Sequence, residues 1–184
     1  MLKHYRKLYG ILYTIIDQLY GQNLGYEDEL SISNTISRLF PIEGSLVDWE
    51  GTLTGGLSIV QPNEVTQRLA QDEPASPPHL ALKLQMVLTL RYLNVRLLLH
   101  RAVLLRVLGS RPAGFADHEA PLLQHIGPSS TKTCLDSAVH TLDLVHATVT
   151  SPGSHKEVLG AWWFSLYYSK PIPPGPKALL SIGR

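Results

Sequence analysis

The first predicted helix covers residues 2–20. Its apolar residues follow alternating steps of three and four positions, so they share one face of an α-helix. Gly21 stands where such a helix would end. Alternation at the two-residue period of a β-strand is weak here and in the rest of the chain. The residues on the apolar face are Tyr5, Leu8, Leu12, Ile15 and Leu19.

A second helix is predicted over residues 32–50, with an interruption. Pro41 lies inside it, and proline lacks an amide donor and clashes with the preceding turn, which predicts a break or kink there. Residues 52–78 are rich in glycine and proline, and we expect a long surface connection. The apolar positions of the second helix are Ile32, Ile36, Leu39, Leu46 and Trp49.

The longest apolar stretch predicts a helix over residues 79–108. Ser76 followed by two prolines suits a helix start, and Gly109 suits its end. A basic residue interrupts the stretch every few positions, whereas a membrane span needs about 20 mostly apolar residues in succession. We therefore expect a core helix and no membrane segment. The basic residues are Lys83, Arg91, Arg96, Arg101 and Arg106.

The last third of the chain predicts two more helices. Residues 109–128 indicate a loop, and residues 130–150 a helix. Ser154 with Glu157 forms a capping box, which predicts a further helix over residues 155–169. That helix is apolar nearly all round, so we expect it at the centre of the fold. Residues 170–184 carry four prolines and predict a disordered tail. The apolar stripe of the helix over 130–150 is Leu135, Ala138, Val139, Leu142, Val145 and Val149.

Composition and charge narrow the class of protein. The 184 residues are 44% hydrophobic, which indicates one globular domain, and a single cysteine cannot form an internal disulfide. Residues 1–73 hold ten acids and five bases, whereas residues 74–116 hold six bases and no acid. A basic centre can bind nucleic acid. The favoured interpretation is a buried basic helix packed against an acidic neighbour.

No motif specifies an enzyme or a metal site. The chain has neither HExxH nor GxSxG, and no histidine–cysteine pair at zinc spacing. Cys134 falls near the start of its predicted helix, where a lowered thiol pKa is possible, but a small packing residue is the favoured interpretation. His146 falls on an apolar stripe, so we expect a satisfied or partly buried imidazole. We predict no enzymatic activity and no cofactor in this chain.

The string LRYLNVRLLLHR, residues 90–101, resembles the signature of the fungal-specific transcription factor domain, the regulatory middle region of binuclear zinc-cluster activators. Three further segments are similar to that family in the expected order: residues 8–22, 133–146 and 160–169. The four segments occur in this order within about residues 5–169. The residues that stand in the family's signature positions are Tyr92, Asn94, Arg96, His100, Arg101, Trp162 and Trp163.

The resemblance implies an all-α, irregular multi-helix domain, with residues 1–169 forming a partial regulatory domain of a larger helical region. The family's zinc cluster needs six cysteines, so zinc and DNA binding would belong to a cluster that this chain lacks. A nuclear location follows, with transcriptional co-regulators or a second copy as partners. The chain would then be a fragment, an alternative product or an imperfect gene model. Trp162 and Trp163 would line either the core or a small-molecule pocket.

The residues of the signature also have a purely structural interpretation. Tyr92, Arg96 and Arg101 can bury their stems while their polar ends reach acids in the first half of the chain. Two other functions stay open: a helical protein-interaction adaptor unrelated to transcription, and an enzyme on a helical scaffold, which would need convergent titratable groups in a pocket. The candidate acids are Asp17, Glu43, Asp48 and Glu50.

Overall fold

The computed structural model describes residues 2–21, 30–71, 77–109, 120–152 and 156–159. Within these ranges the chain forms five α-helices and no strand, so the predicted all-α class is confirmed. Short 3₁₀ turns lie at Gly55–Leu57 and Lys156–Leu159. The helices are α1 (Leu2–Tyr20), α2 (Ile32–Gly51), α3 (Pro62–Gln71), α4 (Pro77–Gly109) and α5 (Ala120–Thr150).

The central element is α4, which packs against each of the other four helices. Apolar residues from all five helices meet in one core, as expected for helices with one buried stripe each. Within the described ranges no helix is both long and apolar enough to cross a membrane. The largest fully buried side chains include Trp49, Ile15, Leu46, Leu82, Met86, Leu99 and Leu144.

Helix α2 continues through Pro41, where the sequence predicts a break or kink. Pro41 is exposed, so its ring meets solvent and not the core. Leu39 and Ile42 on either side are buried in the same core, and this packing outweighs the lost backbone hydrogen bond. At the start of α2 the Ser31 hydroxyl accepts a hydrogen bond from the Asn34 amide at 3.1 Å.

The prediction of one long connection over residues 52–78 was wrong, because α3 lies within it. Pro62 opens α3, where a missing amide has no cost, and the Glu64 carboxylate accepts a hydrogen bond from the Gln61 amide at 3.2 Å. Val65 and Leu69, four residues apart, are buried. In the sequence, the spacing of Val65 and Leu69 and the acidic Glu64 in the first turn indicated this helix. The neighbouring prolines favoured a loop and led to the wrong prediction.

Helix α5 begins at Ala120, ten residues before its predicted start, so the loop prediction was wrong for residues 120–128; residues 110–119 lie outside the described residues. Leu123 is buried, and Pro128 lies inside the helix on its exposed side. At Gly127 the helix approaches α4 closely: a Cβ there would lie 2.9 Å from Val107 Cγ2. Gly127 fits the helix interior because α4 lies close there, and Pro128 fits because it lies on the exposed side. The composition of the segment did not reveal either reason.

The buried face of α5 mixes small polar residues with a few apolar ones such as Leu144, and it is not the predicted apolar stripe. Ser137, Thr141 and Thr148 are buried, and each hydroxyl donates to the carbonyl oxygen four residues earlier at 2.8–2.9 Å. Such bonds satisfy the hydroxyls within the helix, so they can be buried without partners on α4. Consequently Leu135 and Leu142 stay more than half exposed.

Of the helix predicted over 155–169, the structure describes the 3₁₀ turn Lys156–Leu159. Val158 and Leu159 are buried in the core. Residues 160–184, with Trp162, Trp163 and the predicted proline-rich tail, lie outside the described residues.

Candidate functional site

The family-signature residues of α4 begin with Tyr92, which faces α2. Its hydroxyl donates a hydrogen bond to Glu50 Oε2 at 2.6 Å, and its ring stacks on Trp49 with 5.5 Å between ring centroids. Trp49 Nε1 donates in turn to the His4 carbonyl oxygen of α1 at 2.9 Å. Burial, together with the bond to Glu50, raises the pKa of Tyr92, so its hydroxyl stays a donor.

His100, two turns further along α4, joins α2 to α5. Its Nε2 lies 2.8 Å from Glu43 Oε2 and its Nδ1 lies 3.3 Å from Ser130 Oγ. A carboxylate can only accept, so Nε2 donates to Glu43. The hydrogen bond from His100, and the charges of His100 and Arg96, hold the pKa of Glu43 below its usual value of 4.5 although burial acts the other way. This network fixes three helices relative to one another.

The two arginines of the signature lie in different surroundings. The charge of Arg96 acts on Glu43 and Tyr92, on the α2 side of α4. Arg101 acts instead on Tyr20 of α1 and Cys134 of α5. Glu43 and Glu50, two of the four candidate acids, therefore lie at the signature residues that face α2. Arg101 and the partly exposed Asn94 lie on another side.

A third arginine of α4, which the sequence did not single out, contacts α1. The Arg91 guanidinium carbon lies 4.5 Å from the ring centroid of Tyr5 and 5.1 Å from that of Tyr9. These distances are typical of cation–π contacts. Further along α1, the Tyr20 hydroxyl donates to the Leu98 carbonyl oxygen at 2.7 Å. The signal in the sequence was the tyrosine pair four residues apart, which lies on the flank of α1 beside α4.

Ser130, His100 and Glu43 stand in the order of a nucleophile, a base and an orienting carboxylate. The burial of Ser130 excludes that use. Ser130 is 1% exposed and lies inside α5 against α4. A catalytic serine must reach the carbonyl carbon of its substrate, and no substrate can approach Ser130 without parting the two helices. The three residues therefore form a structural hydrogen-bond network.

Cys134 lies in the middle of α5, fourteen residues from its start, so its predicted place at a helix end was wrong. The thiol is buried and lies 3.6 Å from the Leu97 carbonyl oxygen. Burial raises its pKa to about 11, against the opposing charge of Arg101. A protonated, buried thiol is a packing group and not a nucleophile.

The flank of α5 beside α3 forms an open cleft of about 350 Å³. Asp143 and His146 line it from α5, and Asn63 from α3. His146 is exposed, so the prediction of a partly buried imidazole was wrong; the stripe on which it falls is not the buried face of α5. An open, mostly polar cleft lacks the enclosing apolar walls of a small-molecule site. Within the described ranges, no group of three or more metal-ligating side chains converges.

The comparisons with known proteins connect this helical arrangement to a class of proteins. The chain is similar to fungal transcription factors. It is 28% identical over 171 residues to transcription factor FBD3 of Fusarium pseudograminearum (strain CS3096), and 26% identical over 164 residues to transcription factor FBD3 of Gibberella moniliformis (strain M3125 / FGSC 7600). Each match covers 88% of this chain.

The matched region is a small part of those relatives. This chain spans 21% of the length of each of them. No family model matches the chain, and no solved structure matches it. The similarity therefore supports a fungal transcription factor as the wider class, and the role of this region within it is a matter for a proposal.

Proposed function

We propose that this chain is a helical regulatory region of a fungal transcription factor, and that it controls transcription through protein contacts without touching DNA itself. The observation that carries the proposal is the similarity of most of the chain to one part of two proteins named as transcription factors. The all-α architecture agrees with the resemblance to the fungal-specific transcription factor domain.

The placement of the basic residues supports a region that does not contact DNA. Binding to DNA through the backbone needs exposed lysines and arginines that reach the phosphates. Arg91 lies over two tyrosines, and Arg96 acts on a carboxylate in α2. Arg106 donates to the Leu30 carbonyl oxygen. These members of the basic centre are thus engaged within the fold.

In this proposal, DNA and zinc binding belong to a zinc-cluster domain of a longer protein, as in the family that the sequence resembles. The region described here acts in the nucleus, where its partners are transcriptional co-regulators or a second copy of the chain. Either partner would bind the outer surface of the helices, because the buried polar side chains of α4 already form hydrogen bonds within the fold.

The test is a promoter-tethering experiment with the whole chain. Residues 1–184 are fused to an unrelated DNA-binding domain, and reporter output is compared with that of the DNA-binding domain alone. We expect output to change, and the Trp49→Ala variant, which disrupts the core, to abolish the change. The matched control is Phe40→Ala, because Phe40 is 55% exposed and its loss leaves the core intact.

Two results would contradict the proposal. Unchanged reporter output from a folded fusion would favour the alternative of an adaptor unrelated to transcription. Binding of the unfused chain to duplex DNA at low salt, measured by fluorescence anisotropy, would overturn the claim that this region does not touch DNA.

A further inference from the structure

Arg101 of α4 is a partly buried cation between α1 and α5. Its charge acts on Tyr20 of α1 and Cys134 of α5, and both groups are neutral at pH 7 because burial raises the pKa of each. Among the described residues, no carboxylate forms an ion pair with Arg101. A cation that is partly removed from water and lacks an anion is unfavourable. This position therefore suits an anionic group of a ligand.

Lys83 stands on the same side of α4 as Arg101. The two residues are eighteen positions apart, which is five turns and about 27 Å along the helix. Lys83 is partly exposed, and within the described ranges it forms no ion pair either. Asn94, which lies between them, is partly exposed, and α4 contains no acidic residue. This side of α4 thus carries two separated positive charges.

Apolar side chains accompany the two cations. Leu80 and Val87 lie three residues before and four residues after Lys83, and Leu105 lies four residues after Arg101, so all three share that side of the helix. Leu80 and Leu105 are 56% and 47% exposed, and Val87 is partly exposed. A ligand on this side would meet apolar surface as well as positive charge.

The flank of α5 that borders this side is apolar. On the opposite flank the Val60 amide donates to Thr89 Oγ1 of α4 at 3.1 Å, and the Val60 carbonyl oxygen lies 3.0 Å from His140 Nε2 of α5. Thr89 is about a third of a turn away from Arg101 around α4, so the segment around Val60 leaves the Arg101 side open. The exposed apolar residues on the open flank of α5 are Leu135, Leu142 and Val149, at 58%, 55% and 52% exposure.

The flank of α1 beside α4 forms a second apolar wall. Arg91 lies over Tyr5 and Tyr9 of α1, and Val87 and Asn94 are three or four residues from Arg91. The exposed residues on this flank are Tyr9, Tyr13 and Ile16, at 47%, 71% and 51% exposure. We call the surface between the two walls the α1/α5 groove. Its floor is Leu80, Lys83, Val87, Asn94, Arg101 and Leu105, and its walls are the exposed residues just named on α1 and α5.

The α1/α5 groove has the dimensions of one α-helix. Helices α1 and α5 both pack against α4, but they do not pack along each other. Packed helices lie about 8–10 Å apart, and a helix with its side chains is about 10 Å wide, so one more helix fits on α4 between them. The 27 Å from Lys83 to Arg101 correspond to about five turns of such a helix.

The charges of the floor select among possible occupants. In a two-fold dimer through this groove, the cationic floor of one copy would face that of the other, and like charges across an interface oppose association. A flat membrane would meet the apolar walls first and leave the cations between them uncovered. An elongated segment that carries both apolar side chains and carboxylates satisfies the walls and the floor together.

We propose that the α1/α5 groove binds an acidic amphipathic helix of a partner protein. The apolar face of that helix packs against the walls, and its carboxylates pair with Arg101 and Lys83. A carboxylate matches the two parallel donors of a guanidinium, and the walls exclude water around the pair. The inference rests on the proposed role in protein contacts. The binding assay uses no promoter, so its failure is distinguishable from a failure of the reporter test.

Fluorescence anisotropy with a labelled designed peptide and the full chain tests the proposal. The peptide is a helix of about 22 residues with a row of leucines and, beside that row, two glutamates eighteen positions apart. We expect saturable binding that Arg101→Met weakens about tenfold, because a partly buried charge pair is lost, and that Arg101→Lys largely retains. The matched control is Lys7→Met, because Lys7 is exposed and lies two residues from Tyr9, on the opposite flank of α1.

A second peptide, with glutamine in place of both glutamates, separates the charges from the apolar contact. It should bind the wild type at least about ten times more weakly, and Arg101→Met should not weaken its binding further. Leu142→Glu places a charge in the α5 wall and should weaken the binding of both peptides. Val47→Glu is its control, because Val47 is 59% exposed on α2 and outside the groove.

Equal affinities of the two peptides, or of the wild type and Arg101→Met, would overturn the proposal. Absence of binding to the wild type would also overturn it, and unchanged helicity by circular dichroism confirms that each variant folds. Dimers that Leu142→Glu dissociates, measured by analytical ultracentrifugation, would assign the groove to a second copy. Sedimentation with phosphatidylserine vesicles that Leu142→Glu abolishes would assign it to a membrane surface.

Discussion

The two sides of α4 are built by different means. Toward α2, Tyr92 and His100 are buried, and each forms a hydrogen bond with a carboxylate of α2. On the side of α4 between α1 and α5, Asn94 and Arg101 are partly exposed, and the neighbouring Leu98 and Leu97 accept hydrogen bonds from Tyr20 of α1 and Cys134 of α5. A single signature string thus serves both a closed side, held by directed hydrogen bonds, and an open side, which offers apolar area.

The difference follows from the register of one helix. Tyr92, Arg96 and His100 are four residues apart and share a face, whereas Asn94 and Arg101 are seven apart and share another. The closed side gains specificity from hydrogen bonds that only one arrangement satisfies. The open side has no such constraint, and apolar contact there can be made by any segment of suitable shape.

The largest expected effect is on the closed side, at Trp49. Trp49→Ala removes a fully buried ring that stacks on Tyr92, and should lower the free energy of unfolding by about 3–5 kcal/mol. Chemical denaturation followed by circular dichroism measures it. The exposed Phe40→Ala, as control, should change stability by less than about 0.5 kcal/mol. Equal effects would show that the stack does not close this side.

The second effect is pH-dependent and belongs to Glu43. The folded pKa of Glu43 lies below its usual 4.5, so its contribution is complete above that value and is lost as the pH falls through the folded pKa. Glu43→Gln should cost about 1–2 kcal/mol at pH 6 and flatten the loss of stability on acidification. Denaturation midpoints between pH 6 and pH 3 measure both.

The control for Glu43 is a surface ion pair on α5. Lys132 Nζ lies 2.6 Å from Asp136 Oδ2, with side chains 75% and 58% exposed. Asp136→Asn should leave the free energy of unfolding at pH 6 within about 0.5 kcal/mol of the wild-type value. If both variants reduce the loss of stability between pH 6 and pH 3 equally, the Glu43–His100 contact does not cause that loss.

The sequence predicted the closed side better than the open one. Helix periodicity identified α1, α2 and α4, because their buried residues are large and apolar and recur at helical spacing. Glu43 and Glu50 were among the candidate acids, since an excess of acids precedes the basic helix. The pairing of Glu43 with His100 and Ser130 depends on the angle between three helices, which periodicity does not encode.

The same reasoning failed on α5 for a physical reason. Hydrophobicity identifies a buried face only when that face is apolar, and α5 buries Ser137, Thr141 and Thr148 with their hydroxyls bonded inside the helix. Small side chains let α5 approach α4 closely, as at Gly127. The apolar stripe then turns outward, which the pattern alone could not distinguish from a stripe turned inward.

A smaller effect separates the hydrogen bond of Tyr92 from its packing. Tyr92→Phe keeps the ring on Trp49 but removes the donor to Glu50, whose carboxylate is exposed and returns to water. We expect a loss of about 1 kcal/mol in the free energy of unfolding. Tyr13→Phe is the matched control, because Tyr13 is 71% exposed, and it should have no measurable effect. A loss as large as that of Trp49→Ala would mean that the hydroxyl, not the stack, closes this side.

The smallest effect concerns Arg101 on the open side. Its charge lowers the pKa of Cys134, which burial raises to about 11, so Arg101→Met should raise that pKa further and slow alkylation of the thiol. Stability should change by less than about 1 kcal/mol, because Arg101 is partly exposed and acts on neutral groups at neutral pH. The rate of iodoacetamide labelling between pH 8 and pH 10 measures the shift, and Arg101→Lys, which keeps the charge, should retain most of the wild-type rate. Faster labelling in Arg101→Met at unchanged stability would show that the arginine shields the thiol sterically, and that the open side depends on its bulk and not on its charge.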